Sequence, residues 1–319
     1  MKAAVYRENG PPSVFSYEDI ADPSCEPNGV LIRVEAISIE GGDTLSRLAF
    51  PPVQRPHIVG YQAAGEILEV GREVSHLRAG QKVTTVNSNG SHAELRAVAA
   101  RNAWPLPAGM NIQHAAAIPI PFGTADECLF EFGQLEPGQS VLIQGAGGAV
   151  GLAAIQLAKR AGAVVFATAS TDDKLARLKA IGVDHAINYK TQDFVKEVRR
   201  LTHDKGVDLV VDPVGTTVRQ SIACLALRGR VIVVGRAGRE PFSLDPSMLM
   251  PGNQSITGVW LGAEMASDRV HDMIQRHIND VAAGKLQVVI DSTFPLRDAA
   301  KAHQHIENRQ AFGRVVLIP

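Results

Sequence analysis

The chain has 319 residues, of which 45% are hydrophobic and 20% are charged, and this composition is typical of a soluble globular protein with two domains. Its 32 basic and 33 acidic residues leave a formal net charge of -1, which excludes a field strong enough to recruit nucleic acid or an anionic membrane. No segment is apolar over the length of a bilayer, and the N-terminal MKAAVYRENGPP lacks the apolar centre of a signal peptide, so we expect a cytoplasmic protein.

Short strands separated by Gly- and Pro-rich turns are predicted for the first part of the chain. Five segments have the alternating or β-branched pattern of strands: KAAVYRE, VLIRVEAISI, AAGEILEVG, KVTTV and HAELRAVAA. This part is therefore predicted to be all-β, in the form of a partly open barrel or a sandwich.

From Thr124 onward, strands alternate with helices. Six apolar strands are predicted at VLIQ, VVFATA, HAINY, DLVVD, RVIVVG and SITGVWL, and the helix after DLVVD is predicted to extend through TTVRQSIACLALRG. The alternation predicts an α/β domain with a doubly wound parallel sheet, and six strands are the complement of a dinucleotide-binding Rossmann sheet. The tail from Asp291 contains a strand, a helix and a final strand, and is predicted to return to the first part.

Three glycines lie at a strand–helix junction. Gly145, Gly148 and Gly151 follow VLIQ and open a helix that extends to Ala161, although the common G-x-G-x-x-G pattern would need its third glycine at Val150. Such a turn lets the backbone approach a pyrophosphate and points the amides of the helix N-terminus toward it. We predict that the three glycines bind the pyrophosphate of a dinucleotide, with a tight turn that binds nothing as the alternative.

The end of the second α/β strand indicates which dinucleotide is bound. An acidic residue there would bind the ribose 2′-hydroxyl of NAD, but this chain has Ser170, followed by Thr171 and Lys174. A hydroxyl and an ammonium suit the 2′-phosphate of NADPH. The alternative is that Ser170 or Thr171 caps the next helix, with Asp172 and Asp173 as favourable acids of its first turn.

Stretches along nearly the whole chain carry a family resemblance. They are MKAAVYRENGPPSVFSYEDI, HIVGYQAAGEILEVG, PFGTADECLFEFGQLEPGQSVLIQGAGGAVGLAAIQLAKRAGA, DHAINY, GVDLVVDPVG and GRVVLIP. Together they resemble the zinc-free, ζ-crystallin-like quinone oxidoreductases of the medium-chain dehydrogenase/reductase superfamily. The resemblance implies a GroES-like β-barrel domain over residues 1–123 and 291–319, a Rossmann NADPH-binding domain over residues 124–290, and a site in the cleft between them.

The resemblance also implies roles for individual residues. The pyrophosphate would lie against Gly145, Gly148, Ala149, Val150 and Gly151. The 2′-phosphate would be held by Lys174, Tyr189 and Arg309. The nicotinamide would lie near Thr124, Val214, Gly235, Arg236, Ala237 and Trp260. Without the resemblance, Arg309 would be interpreted as a solvated charge at a helix end.

We expect no bound metal. Zinc-dependent relatives carry a Cys in the stretch that matches residues 39–43 and a His-Glu pair at the positions of Tyr61 and Gln62, whereas this chain has Glu40 in that stretch. Zinc prefers Cys and His ligands, and three or four of them. The three cysteines, Cys25, Cys128 and Cys224, are scattered, which disfavours both a disulfide framework and a Cys-based zinc site.

The chain departs from the quinone oxidoreductases in its substrate pocket. Those proteins usually carry an Asn where Glu40 stands and a Tyr where Leu45 stands. Without a metal to polarise a simple carbonyl, the expected acceptor is a quinone or an α,β-unsaturated carbonyl, in which charge delocalises to oxygen. The candidates that would donate to that oxygen are Tyr61, Thr124 and a protonated Glu40, and solvent is a further source. Their alternative roles are barrel packing, a helix cap and a salt bridge, respectively.

Two other functions remain open from the sequence. The chain could be an enoyl or alkenal reductase of a natural-product pathway, or a non-enzymatic NADPH-binding protein. We also expect a homodimer, because the SITGVWL segment from Ser255 to Leu261 is an apolar strand at the sheet edge and such edges pair with a second copy.

Overall fold

A computed structural model of the protein describes residues 1–241 and 243–319. The chain forms two compact units: the first comprises Met1–Ile120 and Gly262–Pro319, and the second comprises Pro121–Leu261. The second boundary differs from the predicted residue 290. The long helix Asp268–Ala282 belongs to the first unit, where the indole Nε1 of Trp104 donates to the His271 carbonyl at 3.0 Å.

The strands are β1 Lys2–Val5, β2 Ser16–Asp19, β3 Gly29–Ser38, β4 Gln62–Val70, β5 Lys82–Val86, β6 Leu95–Ala99, β7 Ala103–Pro105, β8 Ser140–Ile143, β9 Val164–Ala169, β10 His185–Asn188, β11 Val207–Asp212, β12 Leu225–Val233, β13 Ser255–Gly258, β14 Ile290–Pro295 and β15 Arg314–Ile318. The α-helices are α1 Gly41–Ala49, α2 Ile112–Ala115, α3 Pro119–Asp126, α4 Ala149–Arg160, α5 Asp172–Ala180, α6 Phe194–Leu201, α7 Val218–Ala223, α8 Leu261–Glu264, α9 Asp268–Ala282 and α10 Ala299–Glu307. None of the helices in the described residues is both long and apolar enough to cross a membrane.

The first unit is built on a mainly antiparallel seven-stranded sheet. Its strand order is β14-β15-β3-β4-β5-β7. Strand β6 pairs with the N-terminal half of β3, from Gly29 to Arg33. The alternating apolar residues of β3 point into the core, where Val30, Ile32 and Val34 are buried. The tail joins this sheet through β15, which is antiparallel to β3 at Ile37 and Ser38.

The second unit contains the predicted Rossmann sheet. Six parallel strands lie in the order β10-β9-β8-β11-β12-β13, with the first strand of the unit, β8, next to the point where the order reverses. In this fold, ligands bind outside the carboxyl ends of the strands at that reversal. The predicted α/β fold class with a doubly wound, six-stranded parallel sheet is confirmed.

Two local elements differ from the sequence expectation. The predicted helix through TTVRQSIACLALRG ends at Ala223, and Leu225 already pairs with Val207 as the first residue of β12. Helix α1 was not predicted, because two glycines open it. It forms nonetheless, and the Asp43 carboxylate accepts the Glu40 amide at 2.8 Å at its first turn.

Candidate functional site

The glycine-rich turn joins β8 to α4. Gly145 has a φ of +56°, a left-handed conformation that favours glycine, and Gly148 is the N-cap of α4. A Cβ on Gly151 would lie 2.6 Å from the Cα and 2.7 Å from the carbonyl oxygen of Ala146, so only glycine lets the helix approach the turn this closely. The missing side chains at Gly148 and Gly151 thus leave the N-terminus of α4 open and close to the turn that follows β8.

A buried hydrogen-bond network holds this turn from the sheet side. The Gly145 amide donates to Thr168 Oγ1 at 3.2 Å, and that hydroxyl donates to Gln144 Oε1 at 2.7 Å. The Gln144 amide donates to Ser221 Oγ at 3.5 Å, and Ser221 donates to Asp212 Oδ2 at 2.8 Å. Sequence reasoning missed these four side chains, because they come from β9, the end of β8, α7 and β11, and only the parallel sheet brings them together.

The turn fits the pyrophosphate of a dinucleotide. The first-turn amides of α4 have no acceptor within the helix, and a glycine N-cap supplies no side chain to satisfy them. Their N–H groups and the positive end of the helix dipole suit an anion. The predicted contacts of Gly145, Gly148, Ala149, Val150 and Gly151 with the pyrophosphate remain a proposal on this geometry.

Ser170 follows the carboxyl end of β9, where a ribose-binding residue is expected. The cap of α5 is Thr171, whose hydroxyl accepts the Lys174 amide at 3.3 Å, so Ser170 is not needed as a cap. The acid Asp172 accepts from the Asn188 side-chain amide at 2.7 Å. Asp172 is therefore held at the end of β10 by Asn188.

Tyr189 follows the carboxyl end of β10 and is 36% exposed. The ammonium of Lys190 lies 5.8 Å from the centroid of its ring, in cation–π range. Lys190 is not among the predicted site residues, and its position directly after Tyr189 makes it a further candidate. Arg309 follows α10 in the first unit with a φ of +57°, and its predicted role stays a prediction.

All residues predicted for the nicotinamide except Thr124 lie beyond the carboxyl ends of β11, β12 and β13. The amide of Ala237 donates to the Pro213 carbonyl at 3.1 Å, which holds the loop of Gly235, Arg236 and Ala237 beside Val214. Val214 Cγ2 lies 3.5 Å from the Cβ position of Gly145, so the structure brings these two predicted positions together. Trp260, past β13, is 75% exposed. Thr124 is buried inside α3 and does not cap that helix.

Glu40, in the first unit, is a buried ion-pair partner. Its carboxylate accepts from the guanidinium of Arg314 on both oxygens and from the Gln62 side-chain amide. Burial raises the pKa of Glu40, while Arg314 and Gln62 oppose that shift because they donate to the ionised form. This environment favours the salt-bridge alternative over proton donation, since a donor would need a protonated Glu40.

Tyr61 precedes β4 and lies over the start of α1. Its hydroxyl is 3.5 Å from Ser46 Oγ, and its ring occupies the space that a Cβ on Gly42 would need. Burial raises the pKa of the Tyr61 phenol, which keeps the proton on the hydroxyl at neutral pH.

Sequence reasoning missed Asp43 in the first turn of α1. Its Oδ1 is buried and has no hydrogen-bond partner in the described part of the chain. Burial raises the pKa of the Asp43 carboxyl to about 8.

The donor set around Glu40 does not resemble a zinc site. Within residues 1–241 and 243–319, no group of three or more His, Cys, Asp and Glu side chains is arranged to hold a metal ion. Arg314 and Gln62 already use the carboxylate oxygens of Glu40.

Two family models match the chain. The alcohol dehydrogenase GroES-like domain matches residues 26–108, and the zinc-binding dehydrogenase domain matches residues 149–279. The 2-haloacrylate reductase of a Burkholderia species is 33% identical over 99% of this chain and 98% of its own length. The quinone oxidoreductase of Sus scrofa is 30% identical over 98% of this chain and 96% of its own length.

Solved structures agree with the sequence relatives. The crystal structure of Escherichia coli quinone oxidoreductase complexed with NADPH superposes with a TM-score of 0.96 and 28% identity, covering 100% of both chains. The two family domains follow each other along the chain, and the relatives match it over nearly their full length. The chain belongs to the quinone oxidoreductase-like branch of the medium-chain dehydrogenase/reductase superfamily and is an oxidoreductase of that family.

Proposed function

We propose that this chain is an NADPH-dependent, zinc-independent reductase that transfers hydride to a quinone or an α,β-unsaturated carbonyl. The observation that carries the proposal is the open N-terminus of α4 behind Gly145, Gly148 and Gly151, which suits a dinucleotide pyrophosphate. A structural relative crystallised with NADPH supports the cofactor assignment.

The residues that we propose to lie near the ribose support NADPH over NADH. Ser170, rather than an acid, follows β9, and the cap of α5 is supplied by Thr171 instead. Lys174 in the first turn of α5 and Tyr189 with Lys190 after β10 supply positive charge and a hydroxyl for a 2′-phosphate. Arg309 belongs to the same proposed set by family resemblance.

The names of the relatives support a conjugated acceptor. A 2-haloacrylate and a quinone share a carbon–carbon double bond conjugated with a carbonyl group, and relatives named for these substrates match nearly the whole chain. Bound NADPH would supply the hydride to the conjugated carbon. The task left to the protein is to orient the acceptor and to stabilise the negative charge that develops on its oxygen.

Tyr61 is the proposed donor to that oxygen. Its hydroxyl is only partly buried, stays protonated at neutral pH, and is placed by Ser46 and the start of α1. Thr124 is the second candidate donor. Glu40 is assigned to the ion pair with Arg314, which fixes the first turn of α1.

The zinc-independence is tested by metal analysis of the purified protein. One matching family model is named for zinc binding, so the measured metal content decides whether this chain binds zinc. We expect far less than one zinc per chain, and turnover unaffected by a chelator. One zinc per chain, or loss of turnover with the chelator and recovery with zinc, contradicts the proposed mechanism.

The role of Tyr61 is tested by Tyr61→Phe. Loss of one hydrogen-bond donor to a developing oxyanion lowers kcat by roughly 100-fold. The affinity for NADPH should be unchanged, because Tyr61 is not among its proposed ligands. Tyr17→Phe is the matched control, since Tyr17 is 39% exposed on β2 of the same unit. Equal kcat values for Tyr61→Phe and the control would assign proton delivery to solvent or to Thr124.

A further inference from the structure

A second buried polar cluster lies in the first unit, and none of its side chains is among the predicted site residues. Arg47 on α1, His303 on α10, and Ser91 and His92 before β6 are all fully buried. The ring of Phe15 is stacked against His92, with 6.2 Å between ring centroids, and meets His303 edge-on at 4.8 Å. Fully buried titratable groups are costly unless each polar atom has a partner.

The hydrogen bonds of this cluster have only one consistent direction. The guanidinium of Arg47 can only donate, and its Nε lies 3.4 Å from Nδ1 of His303, so this Nδ1 must accept. A neutral His303 therefore carries its proton on Nε2, which is 3.1 Å from Nε2 of His92. That nitrogen of His92 must accept in turn, so His92 carries its proton on Nδ1 and donates to Ser91 Oγ at 3.1 Å.

The charges around the pair favour this neutral arrangement. Burial lowers the pKa of His92 to about 3, and the nearby guanidinium of Arg96 on β6 acts in the same direction. Burial, His92 and Arg47 hold the pKa of His303 well below its usual value. Glu307 on α10 faces the cluster as the ion-pair partner of Arg47, so the positive charge of Arg47 is balanced without a protonated histidine.

The Ser91 end of this series of hydrogen bonds lies against Gly60, the residue that precedes Tyr61. Gly60 has a φ of +114°, and a Cβ there would lie 1.8 Å from Ser91 Oγ and 2.3 Å from Nδ1 of His92. The amide of Ser91 donates to the Gly60 carbonyl at 3.2 Å. The other end of the series is Arg47. It directly follows Ser46, whose hydroxyl is the partner of the Tyr61 hydroxyl.

We propose that Arg47, His303, His92 and Ser91 form a hydrogen-bond relay of fixed direction, and that His92 and His303 are positioning residues that hold Tyr61 at the start of α1. The expected effect of the two histidines on turnover rests on the role of Tyr61 in the proposed function. The direction of the relay does not rest on that role. The relay joins the backbone of residues 58–61 to helix α1 through His303, which is remote from both in the sequence.

The direction of the relay is tested on the wild-type protein by nitrogen-15 NMR of its labelled histidines at pH 7. We expect two neutral rings of opposite tautomer: His92 protonated on Nδ1 and His303 protonated on Nε2. Single substitutions at the two positions assign the signals. Two rings of the same tautomer, or a protonated ring at pH 7, would overturn the proposed direction.

The positioning role is tested with two substitutions of His92. In His92→Gln, the side-chain oxygen can still accept from His303, whereas His92→Leu removes the acceptor at similar volume. We expect kcat to fall roughly tenfold or more in His92→Leu, with unchanged NADPH affinity, and to be largely retained in His92→Gln. His76→Gln, an exposed histidine of the same unit, is the control and should match wild type.

The outcomes separate this inference from the proposed function. If Tyr61→Phe lowers kcat and His92→Leu does not, the positioning role is wrong. If neither changes kcat but the NMR tautomers are as expected, the relay exists and the role of Tyr61 is wrong. Equal loss of kcat in His92→Gln and His92→Leu contradicts a role for the accepting nitrogen, and thermal unfolding identifies a variant that fails to fold.

Discussion

Replacement of Gly151 by Ala is the most direct perturbation of the proposed pyrophosphate site. The new Cβ would lie 2.6 Å from Ala146 Cα, whereas ordinary contacts begin at 3.4 Å, so the turn and α4 must separate by about 0.8 Å. The hydrogen-bond distances of amides to oxygen span only about 0.5 Å. If the first-turn amides of α4 bind the phosphate as proposed, this shift would break at least one of those contacts. We expect an NADPH affinity roughly 10- to 100-fold weaker, since a charge-assisted hydrogen bond contributes about 1.5–3 kcal/mol.

The same substitution should lower the free energy of unfolding by about 1–3 kcal/mol, the usual cost of overpacking. Fluorescence titration with NADPH measures the first effect and denaturant unfolding the second. Gly41→Ala is the control, because a Cβ at Gly41 meets no atom within 4 Å and Gly41 lies in the first unit. Unchanged NADPH affinity in Gly151→Ala would refute the assignment of this turn to the pyrophosphate.

Three further predictions concern the cofactor, the buried acid and the assembly. Lys174→Ala should weaken NADPH binding roughly 10- to 100-fold and leave NADH nearly unchanged, and small parallel shifts for both cofactors would contradict the phosphate site. Burial raises the pKa of Asp43 to about 8, so a proton is released on unfolding between about pH 4 and 8 and stability falls as pH rises there. Asp43→Asn should remove about 1.4 kcal/mol per pH unit of that dependence in denaturant titrations, and an unchanged slope would show that Asp43 is ionised in the folded protein. Light scattering at micromolar concentration should show a homodimer, because β13 forms an edge of the six-stranded sheet, and a monomer would contradict pairing there.

Elements with strong local patterns could be predicted from the sequence. The six parallel strands and the turn at Gly145 follow from apolar runs that alternate with amphipathic helices, and KVTTV is β5 within its predicted bounds. The start of β12 could not be predicted. LALRG has the apolar spacing of a continuing helix, but pairing of Leu225 with Val207 converts it to a strand in which Arg228 has a φ of +61°.

The polar clusters of the first unit were beyond sequence reasoning, since they join residues that are far apart in the chain. The bonds between Glu40 and Arg314 span 274 residues, and the contact of His92 with His303 spans 211. The sequence left Glu40 either as an acid or as a salt-bridge partner, and no local pattern distinguishes the two. Only the antiparallel pairing of β15 with β3 brings Arg314 to the Glu40 carboxylate.

The central claim is that hydride goes to a conjugated carbon without help from a metal. The direct test compares NADPH oxidation by the purified wild-type protein with 2-cyclohexenone and with cyclohexanone, which have the same ring and differ in the conjugated double bond. We predict measurable acceptor-dependent oxidation with the enone and none above background with the saturated ketone. Equal rates with the two compounds would contradict the account.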